Sequence, residues 1–414
     1  MTDPLAEVFR ARFGGDPTHA SRAPGRVNLI GEHTDYNGLP VFPIALQREA
    51  RIALTPRADG VVRLVNTDPE FEPVEFEVGV SIDPDPPGRW GNYVKAPAQE
   101  LARRFAIIRG FDGVLSSDVP VASGLSSSSA LVNAVGLALG EINETGLDAL
   151  SMGDLMADAE RYTGTRGGGM DQAISMAARA GHAARIDFHP LRLKHVPVPS
   201  DWRFIVADTG VRAEKSGPAQ AAYNRRRAEC DEAFAVVAAE LKRIRRVPRP
   251  PKEYAALLRT VPDDEVLDAA ERVLSPTLVK RFRHVVTEAA RVVEAQDLLY
   301  QADHSGFGVL MDASHGSLRT DFNVSSAELD ELVGFAKEGG AAGARLTGAG
   351  FGGCIVALAS MDTVDDVLET LVAGYYEPRK LTDRLDQRLF LAIPSEGASF
   401  RALGPTGAPP SGAA

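Results

Sequence analysis

Alternation and periodicity divide the chain into strand-like and helix-like stretches. Between residues 61 and 80, Val74, Phe76 and Val78 alternate with Glu75 and Glu77, which predicts a half-exposed strand. Residues 40–54 are apolar and β-leaning, and are expected to pair with the short apolar run Val27, Leu29 and Ile30. Further strands are expected over 113–121, 182–188, 204–207, 345–347 and 354–358. Helical patterns cover 3–13, 90–105, 130–142, 150–162, 170–178, 219–245, 263–301 and 327–338, the last with Ser326 placed to cap it. Glycine-rich loops interrupt at 123–129, 164–169 and 348–353. Residues 190–201 carry three prolines and little periodicity, and mark the main boundary. Domains are therefore expected over 1–200 and 201–400, with a disordered tail over 401–414, and no internal repeat is present.

Composition narrows this picture. At 414 residues two cores are expected, and 44% apolar with 24% charged residues is a soluble globular balance. The net charge of -11 argues against nucleic acid and anionic membrane as partners. It also means that a phosphate-bearing substrate must be met by local positive potential and metal. Basic clusters at 225–227 and 242–246 read as solvated helix faces. Two cysteines, Cys230 and Cys354, cannot build a disulfide framework or a zinc site, and a cytoplasmic setting is expected. Residues 1–13 lack the apolar core of a signal peptide.

Candidate chemistry gathers in four places. The run Gly25-Arg26-Val27-Asn28-Leu29-Ile30-Gly31-Glu32-His33-Thr34-Asp35-Tyr36-Asn37 passes from an apolar strand into a polar loop. Carboxylates and imidazole accept hydrogen bonds from sugar-like hydroxyls, and Arg26 can face developing negative charge. An idle polar turn has the same composition. The first glycine loop, Ala122-Ser123-Gly124-Leu125-Ser126-Ser127-Ser128, precedes a strong apolar helix. Its serines are expected to cap that helix, whose N-terminus suits phosphate, and one hydroxyl can ligate Mg²⁺. A serine-rich linker is the plainer alternative. The second loop places Asp171 after Gly167-Gly168-Gly169, with Glu160 on the preceding helix; one acid would hold metal and the other orient or deprotonate a nucleophile. The third, Gly348-x-Gly350-x-x-Gly353, runs into a strand rather than a helix, so it is not a dinucleotide fingerprint.

Together these segments resemble the galactokinase branch of the GHMP small-molecule kinases. The first run resembles the galactokinase signature, Gly124-Leu125-Ser126-Ser127-Ser128 the ATP loop, Gly168-Gly169-Met170-Asp171-Gln172 the catalytic loop, and residues 346–354 the C-terminal motif. The resemblance implies a two-domain α+β fold with a mixed-sheet N-terminal domain, an α/β-sandwich C-terminal domain and the active site between them. It implies ATP-dependent phosphorylation of the anomeric hydroxyl of a galactose-type sugar by a monomer. Asp171 and Arg26 would be catalytic. Glu32, His33, Thr34, Asp35, Gly168 and Tyr223 would bind sugar. Residues 122–128 would wrap the ATP phosphates, and Ser128 with Glu160 would hold Mg²⁺. Residues 165–171 and 187–192 are similar to N-acetylgalactosamine kinases, which keeps that sugar as the alternative substrate. A non-catalytic sugar sensor is the other rival.

Overall fold

The structure, a computed structural model, describes residues 4–164, 167–211 and 218–404. Thr165 and Arg166 of the second glycine loop, and 405–414 of the expected tail, lie outside the described residues. The strands are β1 (His19–Asn28), β2 (Pro43–Pro56), β3 (Val61–Asn66), β4 (Val74–Glu77), β5 (Phe111–Ser117), β6 (His182–Asp187), β7 (Arg192–Pro197), β8 (Trp202–Asp208), β9 (Gly343–Thr347), β10 (Cys354–Ser360), β11 (Leu389–Ala392) and β12 (Ser399–Ala402).

The β1–β2 pairing expected from the apolar runs is present, antiparallel, from His19 opposite Leu54 to Asn28 opposite Pro43. The strand ends at Asn28, so Leu29 and Ile30 lie past it, buried, at the start of the polar loop. These strands centre a six-stranded sheet of order β12-β1-β2-β5-β3-β4, mixed because β3 runs parallel to β5. Its core joins Val27, Ile52 and Phe111 to Val94 and Leu101 of helix Gly91–Arg104, and to Val132 and Leu139 of helix Ser127–Ile142.

A second sheet, β11-β8-β10-β9, is antiparallel. Its central strands are buried on both faces, which is why they read as unbroken apolar runs. Phe204, Val206 and Val356 pack into the same cluster as the first sheet. Ile205, Ala207, Ile355 and Ala357 pack instead with Phe282, Leu329 and Leu332 of the C-terminal helices. Alternate residues of β8 and β10 thus tie the two cores together. The result is the two-part α+β architecture expected from the sequence.

Several expectations are corrected. The strand over 61–80 is two strands, β3 and β4. The proline-bearing stretch 190–201 contains β7, paired with β6 in a hairpin. The helix over 263–301 is two, Asp263–Val273 and Pro276–Tyr300; Ser275 caps the second by accepting from the Leu278 amide, and Pro276 needs no donor there. Helix His304–Ser317 has no counterpart in the sequence reading. Residues 401–402, assigned to the tail, end β12, which pairs with β1 and returns the chain to the first sheet. Ser326 caps helix Ala327–Glu338 as expected.

Candidate active site

The site starts at an irregularity in β1. The β1–β2 register shifts between Pro24 and Arg26, and such bulges re-aim a side chain. Gly25 lets the first glycine loop press in, since a Cβ there would meet the Leu125 carbonyl oxygen at 2.7 Å. The Arg26 amide donates to that same oxygen at 3.1 Å. The Arg26 guanidinium is buried and donates to Asp171 Oδ1 at 2.7 Å and to the Gly124 carbonyl at 2.5 Å. Asp171 lies in the first turn of helix Met170–Ala177, where the helix dipole favours a carboxylate. Its Oδ2 accepts from Ser126 Oγ at 2.5 Å. The serines were expected to cap helix Ser127–Ile142, but Ser126 makes no side-chain capping bond.

Arg26, Glu32, His33, Asp35, Glu160, Gly168, Asp171 and Tyr223 line one cavity, together with Gln172, Gln220 and residues 348–351. Residues from both halves of the chain form it. Among the sugar-binding candidates, Thr34 is not in the lining. It is fully buried, and its hydroxyl lies 2.8 Å from the carbonyls of Gly31 and Pro40, where it pins the turn. The segment 122–128 runs beside the cavity and reaches it through Arg26 and Asp171.

The two carboxylates of the polar loop differ in kind. Glu32 is wholly buried and accepts from Asn28 Nδ2, from the Gly348 amide and from Thr347 Oγ1 at 3.1 Å. Arg345, also wholly buried, lies 3.9 Å from both Glu32 and Glu288. Burial raises the Glu32 pKa, and Arg345 and Arg26 oppose that rise. The third glycine loop therefore anchors Glu32, and it packs against the first loop: a Cβ on Gly348 would meet the Gly124 carbonyl at 2.8 Å.

Asp35 is only half-buried, and its Oδ2 accepts from the Gly168 amide at 3.1 Å. Burial, then the charge of Asp171, raise its pKa from 3.8 to about 6. His33 Nδ1 lies 2.9 Å from the Tyr36 hydroxyl, and its ring packs on Tyr223 and Phe322. Burial, then His284, lower its pKa to about 3, so it is a neutral imidazole with one donor and one acceptor. Burial keeps the Tyr223 phenol protonated.

Glu160 follows helix Ala149–Ala159. Its Oε2 accepts from Gln172 Nε2 and from Ser129 Oγ at 3.1 Å. Its Oε1 is buried without a hydrogen-bond partner among the described residues. An anionic oxygen left over on a cavity wall suits a hard cation. Among the described residues no cluster of three or more His, Cys, Asp or Glu could hold a metal unaided, and Mg²⁺ shared with phosphates needs none. The sequence reading gave no role to Ser126 as a partner of Asp171, or to Ser129 and Gln172 as partners of Glu160. Ser126 and Gln172 lie within the ATP-loop and catalytic-loop motifs and Ser129 directly follows the first; the pairing across loops is what the chain order hides.

Comparison with known proteins agrees with this arrangement. Residues 7–56 match the galactokinase galactose-binding signature, 92–179 the GHMP kinases N terminal domain and 295–377 the GHMP kinases C terminal domain. The chain is 40% identical over 370 residues to a galactokinase of Chloroflexus aggregans, covering 89% of this chain and 90% of that one. It is 40% identical over 373 residues to one of Chloroflexus aurantiacus, covering 90% and 91%. Its structure is similar to that of Lactococcus lactis galactokinase complexed with galactose, with a TM-score of 0.82 and 31% identity over 95% of this chain and 98% of that one. L. major mevalonate kinase shares the fold alone, with a TM-score of 0.57 at 19% identity over 91% and 97% of the two chains. Three family matches in order, and identity sustained along nearly the whole chain, place this protein in the galactokinase branch of the GHMP kinases.

Proposed function

We propose that this protein transfers the γ-phosphoryl group of ATP to the anomeric hydroxyl of galactose, forming galactose 1-phosphate and ADP. One observation carries this reading: Asp171, held by Arg26 at 2.7 Å, faces the same cavity as Asp35, His33 and Tyr223. The sugar's O1 donates its proton to Asp171 as the new P–O bond forms and the bond to the β-phosphate oxygen breaks. Phosphoryl transfer depends on positioning and charge neutralisation, and Arg26 supplies positive charge at the transferring group. Asp35 accepts from sugar hydroxyls, with His33, Tyr223 and the Gly168 backbone completing the polar wall. Glu32 acts through the loop it anchors, with at most an edge toward the ring, and Thr34 through the turn alone. Residues 122–128 flank the ATP phosphates. Glu160 and Ser128 would hold Mg²⁺, which when bound neutralises phosphate charge. The acidic total argues against nucleic-acid and anionic-membrane partners, family membership favours a monomer, and the two lone cysteines favour the cytoplasm.

Gly168 lends no support to N-acetylgalactosamine as the substrate. The space a side chain at Gly168 would fill is occupied by the backbone of Asp35 and Tyr36, so that glycine accommodates the protein's own loop rather than a 2-substituent. Coupled ADP-release assays over galactose, N-acetylgalactosamine, glucose and arabinose test the proposal. Galactose is expected to give the highest kcat/KM. A higher value for N-acetylgalactosamine would reassign the substrate, and no turnover of any sugar would favour a sensor.

A further inference from the structure

Ser126 stands where the N-cap of helix Ser127–Ile142 belongs, and serine is a preferred cap. It does not cap. Its backbone is left-handed, with φ 63° and ψ 39°, a region that disfavours every residue except glycine and, to a lesser degree, Asn and Asp. A residue that forgoes its cap and holds a strained backbone needs a reason at that point. The contact that supplies one is Ser126 Oγ to Asp171 Oδ2 at 2.5 Å.

The geometry makes this contact more than incidental. Asp171 Oδ1 is already taken by Arg26, whose Nε and Nη2 both lie 2.7 Å away. The plane of a carboxylate is set by the donors that meet its two oxygens. A second donor on the other oxygen, arriving from a different loop, fixes that plane. The loop carrying Ser126 is itself held, because Arg26 Nη1 donates to the Gly124 carbonyl at 2.5 Å. One guanidinium thus braces both Asp171 and the loop that delivers the second donor.

We propose that Ser126 is a positioning residue for Asp171, neither a helix cap nor a nucleotide ligand. Its hydroxyl sets which lone pairs of the carboxylate meet the sugar's O1, and it stabilises the ionised form. The proposal rests on the reading of Asp171 as the group that meets O1. Asp35, Arg26 and Tyr223 also act on the charge of Asp171, and all remain in the variants below.

The test compares Ser126→Ala and Ser126→Gly, which both lose the hydroxyl; the glycine also relieves the left-handed backbone. In both, kcat for galactose is expected to fall about tenfold or more, with KM for galactose and ATP changed less than about twofold. The acid limb of the kcat–pH profile is expected to move to higher pH by a similar amount in both, because a donor to the charged form is gone. The Asp171 carboxyl, followed by ¹³C NMR with Asp171→Asn as the assignment control, is expected to titrate higher in both variants whatever the turnover. A raised KM for ATP with unchanged kcat would make Ser126 a nucleotide ligand. A loss confined to Ser126→Ala and restored in Ser126→Gly would make its role one of backbone alone. An unmoved Asp171 titration overturns the proposal even if the protein phosphorylates galactose. Absent turnover in the wild type, with the NMR shift still seen, would instead sink the functional reading.

Discussion

Replacing Gly168 with alanine isolates the contact that joins the second glycine loop to the polar loop after β1. A Cβ at this position would lie closer than 3.0 Å to Tyr36 N, Asp35 C and Asp35 Cγ. Two of these are backbone atoms of a loop pinned by Thr34 and by the Gly38 amide donating to the Asp35 carbonyl at 2.9 Å. They cannot swing aside as a side-chain tip would, so one loop must move. Overpacking of this kind costs about 1–3 kcal/mol. The movement also breaks the Gly168 amide bond to Asp35 Oδ2 at 3.1 Å, and a hydrogen bond to a charged group contributes about 1.5–3 kcal/mol. If both losses fall on the sugar-bound state, kcat/KM for galactose drops by about 10²- to 10⁴-fold, at 1.4 kcal/mol per decade.

The assay is steady-state ADP release across galactose concentrations, with calorimetric ATP binding alongside. Galactose KM is expected to rise steeply while ATP affinity stays within about threefold, since the clash lies on the sugar side. Gly167→Ala is the internal control. A Cβ there meets no heavy atom within 4 Å, and stability should stay within about 0.5 kcal/mol of wild type. A Gly168→Ala enzyme with unchanged galactose KM would refute the reasoning. So would one that keeps galactose turnover and loses only N-acetylgalactosamine turnover, because the glycine would then serve the substrate.

Three further outcomes are expected. Asp171→Asn abolishes turnover while ATP still binds by calorimetry; a kcat within tenfold of wild type would remove Asp171 from the reaction. Glu160→Gln replaces the orphaned Oε1 with a weaker ligand, so the Mg²⁺ concentration for half-maximal rate rises about tenfold or more, and an unchanged metal titration would place the cation elsewhere. The folded-state pKa of Asp35, about 6, lies above its ordinary 3.8, so this group weakens folding as pH rises through that window. Asp35→Asn should therefore gain up to about 3 kcal/mol over wild type at pH 8 but not at pH 4, while sugar affinity falls; equal urea midpoints at pH 8 would contradict this.

What the sequence revealed about fold and site divides along a physical line. Elements whose reason is local were legible: the alternating strands, the apolar helix after the serines, and the Ser326 cap. The Ser275-Pro276 start is also local, a capping serine followed by a proline at the first helical position. Helix His304–Ser317 was not legible, because Gly306, Gly308 and Gly316 and its serines depress helix propensity. Gly308 is there for packing: a Cβ would strike the backbone of Ala342. Strand β12 was hidden because its partner, β1, lies at the other end of the chain, and nothing in Ser399–Ala402 announces that pairing.

The same line runs through the site. Residue types alone make Glu32 and Asp35 equivalent, two acids three positions apart in one polar loop. The structure separates them by what arrives from elsewhere. Thr347, 315 positions downstream, joins Asn28 and Gly348 in filling the oxygens of Glu32, whereas Asp35 accepts from the Gly168 amide and faces the cavity. The capping expectation at Ser126 fails for the matching reason. A capping rule considers the next turn of helix, but the carboxylate that claims its hydroxyl lies 45 positions away. A motif identifies which side chains can do chemistry; which of their lone pairs remain for a substrate is decided by the donors that distant segments bring to them.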